Sequence, residues 1–185
     1  MTMLVGVVMI CSSTASNAER AHRIQAPYDP AAHEVRDGDN VIQGNALIPL
    51  NDGDAVICRG QIVFLVPVTP YTIERMTVAF ESERQGYRSV RQRYSGPLAL
   101  LGRDTTFQEP FPPFEPENDH YQRSAGRETR CDSRGDFEFS GVADGDYFVT
   151  TAITWRDHRS MPNGGGLMTR VSLRGGRTAR VVLAP

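Results

Sequence analysis

The residues able to do chemistry in this chain are few and far apart. His22, His33, His120 and His158 are its four histidines. None stands at His-x-His or His-Glu-x-x-His spacing, the patterns that bring two imidazoles onto one metal, so a zinc hydrolase is not indicated. His22 and His33 fall in a proline-containing leader and read as exposed and idle, and His120 and His158 fall in polar loops. No Gly-x-Ser-x-Gly elbow occurs, and Gly164 to Gly166 lack the strand-to-helix setting of a phosphate cradle, which leaves them as a hairpin loop. All 20 basic residues are arginine, so Schiff-base and P-loop lysine chemistry has no residue to work with. The expectation is a chain without catalytic or metal-ligating residues and without a cofactor.

Two constellations remain. Cys58 and Cys131 are the cysteines left once the apolar N-terminus is set aside, and an even pair in an oxidising compartment is the pattern of a disulfide. Two buried thiols packing as small hydrophobes are the plainer alternative. The second constellation is RQGYRSVRQRY, residues 84–94, where Tyr87, Arg88, Arg91, Arg93 and Tyr94 combine cations with aromatic faces. Phe111, Phe114 and Tyr121 add aromatics further along the same stretch. Arginine and tyrosine together suit phosphate contact and base stacking, but a net charge of −2 and a pI near 6.1 exclude a strongly basic nucleic-acid binder. An anionic glycan or lipid headgroup suits the cluster better. A solvated segment pairing with Glu81, Glu83 and the acidic proline loop is the ordinary reading.

These residues need a scaffold, and the chain supplies one after its first 39 residues. Met1 to Cys11 is an apolar run, and SSTASNA follows with the small Ser16 and Ala18 at the spacing that signal peptidase requires. This predicts a signal peptide over 1–18, although no basic residue precedes the run. Lipid anchoring through Cys11 is disfavoured, since Ile10 and not a small residue stands before it. No run reaches the roughly 18–20 apolar residues of a membrane span. Residues 19–39 read as an extended leader, and 40–185 as one domain of ordinary size.

Within that domain the strand signals are dense. Val41 to Ile48 and Gln61 to Val66 are β-branched runs closed by Pro49 and Pro67. Thr69-Pro70 is a helix start, and Ile73, Met76, Val78, Ala79 and Phe80 follow at helical spacing, predicting one short amphipathic helix that ends before Gly86. Residues 84–126, including the proline-rich EPFPPFEPEND, read as a long loop insertion. After it, Asp136 to Phe139, Asp146 to Trp155, Leu167 to Leu173 and Arg177 to Leu183 are strands divided by Gly/Asp turns. Ile62, Phe64, Val66, Phe137, Phe139, Val149, Ile153, Val171 and Leu173 are the expected core positions. The fold class that follows is all-β, an antiparallel β-sandwich of about seven strands with one helix.

The stretch CDSRGDFEFSGVADGDYFVTTAITW, Cys131 to Trp155, resembles carboxypeptidase regulatory-like, or transthyretin-like, domains. Those domains repeat a Gly turn, a Phe-x-Phe strand, a Gly-x-Tyr corner and a long strand. RVSLRGGRTARVVL, Arg170 to Leu183, is similar to their closing hairpin, and CRGQIVFLVPVTPYTIERM to their early strand and helix. The resemblance implies a Greek-key sandwich that serves as a non-catalytic accessory module on surface proteins or enzymes. The expected function is an exported binding module for a cell-envelope protein or carbohydrate, with its surface on the 84–126 insertion and no nucleic-acid partner. The alternative is a small exported hydrolase or oxygenase with a site in that insertion. Oligomeric state is not legible.

Overall fold

The computed structural model describes residues 22–90, 114–115 and 126–185. Among the described residues nine strands form two sheets. One sheet runs β5 (Gln85–Ser89), β10 (Pro162–Leu173), β9 (Gly145–Arg156), β4 (Ile62–Pro67), β7 (Arg127–Arg130), antiparallel throughout. The other is built on β2 (Asp37–Pro49), which pairs in parallel with β11 (Thr178–Leu183) along one edge. Along its other edge β2 meets β8 (Asp136–Val142) and then β3 (Ala55–Ile57), both antiparallel. Ala46 marks the handover, donating its N–H to the Gly135 carbonyl and accepting from the Cys58 N–H. A two-residue pair of β1 (His22–Arg23) and β6 (Phe114–Glu115) stands apart from both sheets. The protein is an all-β sandwich.

Period-two alternation gives each sheet an inward face. Ile42, Ala46 and Ile48 from β2, Phe137 and Phe139 from β8, and Leu183 from β11 meet Val63, Leu65, Val149, Ile153, Leu167 and Leu173 from the five-stranded sheet. Burying one such side chain contributes about 1.5–3 kcal/mol. Gly44 belongs to this inner face of β2; a Cβ there would stand 2.5 Å from the Phe137 ring and 2.7 Å from Val181.

The expected phase of β4 is corrected by one residue. Val63 and Leu65 are fully buried, while Phe64 points outward and is 39% exposed. Val66 is buried as expected. An uninterrupted apolar run carries no alternation from which to read its phase.

Helix α1 (Pro70–Phe80) lies against the outer face of the five-stranded sheet, where Tyr71, Met76, Ala79 and Phe80 cover Phe148 and Met168. It begins where the sequence places it. Thr69 caps the Thr72 N–H, Thr72 returns the bond to the Thr69 N–H, and Pro70 fills the first helical position. Glu81 closes the helix in the left-handed conformation, with φ of 56°.

The segment before β2 buries three of its side chains, Ile24, His33 and Val35. Ile24 is buried over α1 and a 3₁₀ turn spans Ala31–His33. His33, expected to be exposed and idle, is 1% exposed and hydrogen-bonded. Apolar Ile24, Ala26 and Tyr28 cover the helix and carry the turn into place. Among the described residues no helix is long and apolar enough to cross a membrane.

Candidate functional site

The outward face of the second sheet carries an open concavity. Side chains alternate across β11, β2 and β8, so the register sets them in rows. One row is Arg180, Gln43 and Glu138; the next is Val182, Asn45 and Asp136. Thr129 and Arg130 of β7 and the Asp132–Gly135 turn form the other wall of an open groove of about 720 Å³.

Its polar groups are unequally occupied. Gln43 Nε2 donates to Glu138 Oε2 at 3.0 Å. Arg134 Nε stands 3.2 Å from Asp136 and 3.6 Å from Asp132. Asp132 also accepts the backbone N–H groups of Asp136 (3.0 Å) and Arg134 (2.7 Å). These bonds hold its carboxyl below the usual carboxylate range, the Asp136 N–H contributing most. Arg130 Nη1 donates to the Gly60 carbonyl at 3.1 Å. Asn45 stands opposite Asp136 in the register, and its Oδ1 is buried without a donor among the described residues. Leaving a buried acceptor unmet costs about 1–3 kcal/mol.

The groove is balanced in charge. Asp132, Asp136 and Glu138 face Arg130, Arg134 and Arg180. Val182 adds an apolar surface, 55% exposed, next to Asn45. Such an array can exchange hydrogen bonds with a ligand that both donates and accepts, and it draws neither a polyanion nor a polycation strongly.

The residues singled out in the sequence are placed differently. Gln85 to Ser89, expected inside a loop insertion, form an edge strand beside β10. Gly86 permits this, since a Cβ there would stand 2.5 Å from the Phe80 Cβ. Tyr87 is half-buried against the core and its hydroxyl donates to the Gly164 carbonyl at 3.1 Å. Arg88 Nη1 donates to the Ala79 carbonyl at 3.2 Å and lies 3.5 Å from that of Val78, so it serves the C-terminal end of α1. Both side chains are committed to internal contacts. Arg91, Arg93, Tyr94, Phe111, Tyr121 and His120 lie outside the described residues, as do Cys11 and the proposed signal peptide. Phe114 lies on β6, paired with His22.

Cys58 and Cys131 stand at disulfide distance, with Cα atoms 5.8 Å apart. His158 is exposed in the turn between β9 and β10. No group of three His, Cys, Asp or Glu side chains among the described residues could hold a metal ion. The groove residues were not singled out in the sequence, because Gln43, Asn45, Glu138 and Arg180 occupy ordinary outward positions of alternating strands. Only the register shows that they adjoin.

No protein-family model matches this chain, and no curated protein matches it. A solved structure does. A candidate carbohydrate-binding protein from Pseudomonas aeruginosa is similar over 82% of this chain and 92% of its own, with a TM-score of 0.60. The two chains are 22% identical. They share a fold. At that identity nothing beyond the fold carries over.

Proposed function

We propose that this protein is a non-catalytic, exported binding module that holds a cell-envelope carbohydrate in the groove on its four-stranded sheet. The observation that carries the reading is the outward row Val182, Asn45 and Asp136 beside the row Arg180, Gln43 and Glu138, which sets amides, carboxylates, a guanidinium and an exposed apolar surface side by side. A saccharide meets each of those demands. Its hydroxyls donate to the carboxylates and accept from the Asn45 amide nitrogen and Arg180, and its C–H face covers Val182. The charge balance of the groove fits a ligand of hydroxyls. The similar Pseudomonas aeruginosa structure belongs to a candidate carbohydrate-binding protein, which supports the same class of ligand. Relationship to the carboxypeptidase regulatory-like domains belongs to this reading too. Tyr147, at the proposed corner, donates its hydroxyl to the Ala143 carbonyl at 3.1 Å, and burial pushes its phenol pKa up. Export rests on the Met1–Ala18 pattern and on the Cys58/Cys131 pair.

Affinity electrophoresis and calorimetry against a panel of neutral and acidic envelope polysaccharides test the proposal. At least one should bind, and Asn45→Ala should weaken it about 5–10-fold, the worth of one hydrogen bond. Absence of binding to every saccharide, or an Asn45→Ala protein that binds unchanged, would overturn the groove.

Phe64 favours a second placement. It is an exposed aromatic on the opposite sheet, flanked by Thr150 and Glu128, and a sugar ring can stack on such a face. If Phe64→Ala abolishes binding while Asn45→Ala does not, the saccharide sits there.

A further inference from the structure

The segment before β2 is fastened to α1 at two points. At the first, the Gln25 and Ala26 N–H groups donate to the two carboxylate oxygens of Glu74, each at 2.8 Å. At the second, the 3₁₀ turn delivers His33 beneath the helix N-cap. His33 Nδ1 lies 2.6 Å from the Asp29 carbonyl, and Nε2 lies 3.2 Å from Thr69 Oγ1. A carbonyl only accepts, so Nδ1 carries the proton and neutral Nε2 accepts from the Thr69 hydroxyl. That same Oγ1 receives the Thr72 N–H, which makes one hydroxyl serve both the helix cap and the strap. The imidazole is packed between Tyr28, 4.4 Å between ring centroids, and Tyr71, 5.5 Å.

We propose that residues 24–34 form an acid-released strap: protonation of His33 unseats them from α1 and uncovers the apolar helix face beneath. Adding a proton at Nε2 turns an acceptor into a donor against Thr69 Oγ1 and places a charge in a slot that is 1% exposed. The charged groups acting on the ring are Asp29 on the strap and Arg75 on the helix. Asp29 favours the protonated ring and Arg75 opposes it. Desolvation outweighs both and holds the ring below its ordinary 6.5. The sign follows. The undocked strap takes up its proton first, so docking is at full strength above about pH 6.5 and weakens as pH falls below it, until the docked ring titrates too. The surface uncovered includes Tyr71, Met76 and Phe80, which pack with Ile24 in the docked form.

Hydrogen exchange of the full chain, read by mass spectrometry at pH 7.5 and 5.0 and corrected for intrinsic exchange, tests the strap. Protection over residues 24–34 should fall about fivefold or more on acidification, while β9 and β10 hold theirs. His33→Asn keeps a donor near Nδ1 without titrating, and its strap should no longer respond to pH. Glu74→Gln should shift protection at both pH values and leave the response in place. Should His33→Asn fail to fold, titration of the His33 ring by NMR in the unmodified protein must coincide with loss of strap protection. A strap whose protection is constant with pH overturns the proposal, as does a response that survives His33→Asn or that follows Glu74. None of these outcomes depends on the carbohydrate groove.

Discussion

Phe64 and Leu65 are neighbours in β4 with opposite fates. Leu65 is fully buried among Val63, Val149 and Leu167, whereas Phe64 faces outward. The larger aromatic should therefore be the more dispensable for stability. Leu65→Ala removes core volume and should cost about 2–5 kcal/mol. Phe64→Ala should cost less than about 1 kcal/mol. Urea unfolding of the two variants checks this, and equal losses would return β4 to the opposite phase. Arg127 shows another residue whose work is internal. Its Nη1 donates to the Ser140 and Gly141 carbonyls, and its Nη2 pairs with Asp37, so one guanidinium joins the edge of the five-stranded sheet to β8 and β2. Asn40 does the same at the end of the sandwich. It donates to the Val142 carbonyl and Asp144, and accepts from the Arg177 N–H.

Helix α1 is well started and poorly stopped. Thr69, Thr72 and Pro70 satisfy its N-terminus, but Glu81 holds a positive φ that an L side chain adopts at a cost. Its N–H still closes the helix onto the Thr77 carbonyl at 2.8 Å. Glycine would keep that bond without the Cβ penalty. Glu81→Gly should raise stability by about 0.5–1 kcal/mol, read as an increase in thermal midpoint, against the usual loss for glycine near a helix. A lower midpoint would mean that Glu81 contributes more through its side chain than its conformation costs. The edge strands are managed as well. Arg127 covers one end of the β8 edge and Asp132, bonded to the Asp136 N–H, covers the other.

At the scale of the molecule, the cysteine pair stands where a bridge would tie the two sheets together. Cys58 follows β3 of one sheet and Cys131 follows β7 of the other, 73 positions apart in sequence. Cross-linking a loop of that length removes denatured-state entropy on the order of 4 kcal/mol in the chain-entropy model. Reduction, or Cys58→Ala with Cys131→Ala, should lower the unfolding free energy by about 2–5 kcal/mol. Two free thiols titrated in protein from an oxidising compartment would refute the bridge. Compartment has its own test. N-terminal sequencing of an exported form should begin at Glu19, and a protein kept inside the cell with Met1 intact would refute the signal peptide.

Local chemistry was enough for much of this. Thr69-Pro70 announces a helix start because capping involves only residues close in sequence, and the Gly/Asp turns around Phe137 and Tyr147 announce a β-rich chain for the same reason. Alternation in Phe137/Phe139 and Val171/Leu173 showed which face would be buried, since polar residues between them mark the other. Where that contrast fails, so does the reading. Ile62 to Val66 is apolar throughout, and only the helix and strands packed around it decide that Val63 and Leu65 go inward. Tyr87 and Arg88 look like a binding cluster as a string. The carbonyls that occupy them, Gly164 and Ala79, lie 77 and 9 residues away and become partners only when β5 pairs with β10 and packs beside α1. His33 reads as idle because it falls in a proline-containing leader; the 3₁₀ turn brings it the Asp29 carbonyl, and folding supplies Thr69 and Tyr71. The groove is the extreme case. Gln43, Glu138 and Arg180 come from three strands separated by up to 137 residues, and their adjacency is a property of the register, which no local pattern encodes.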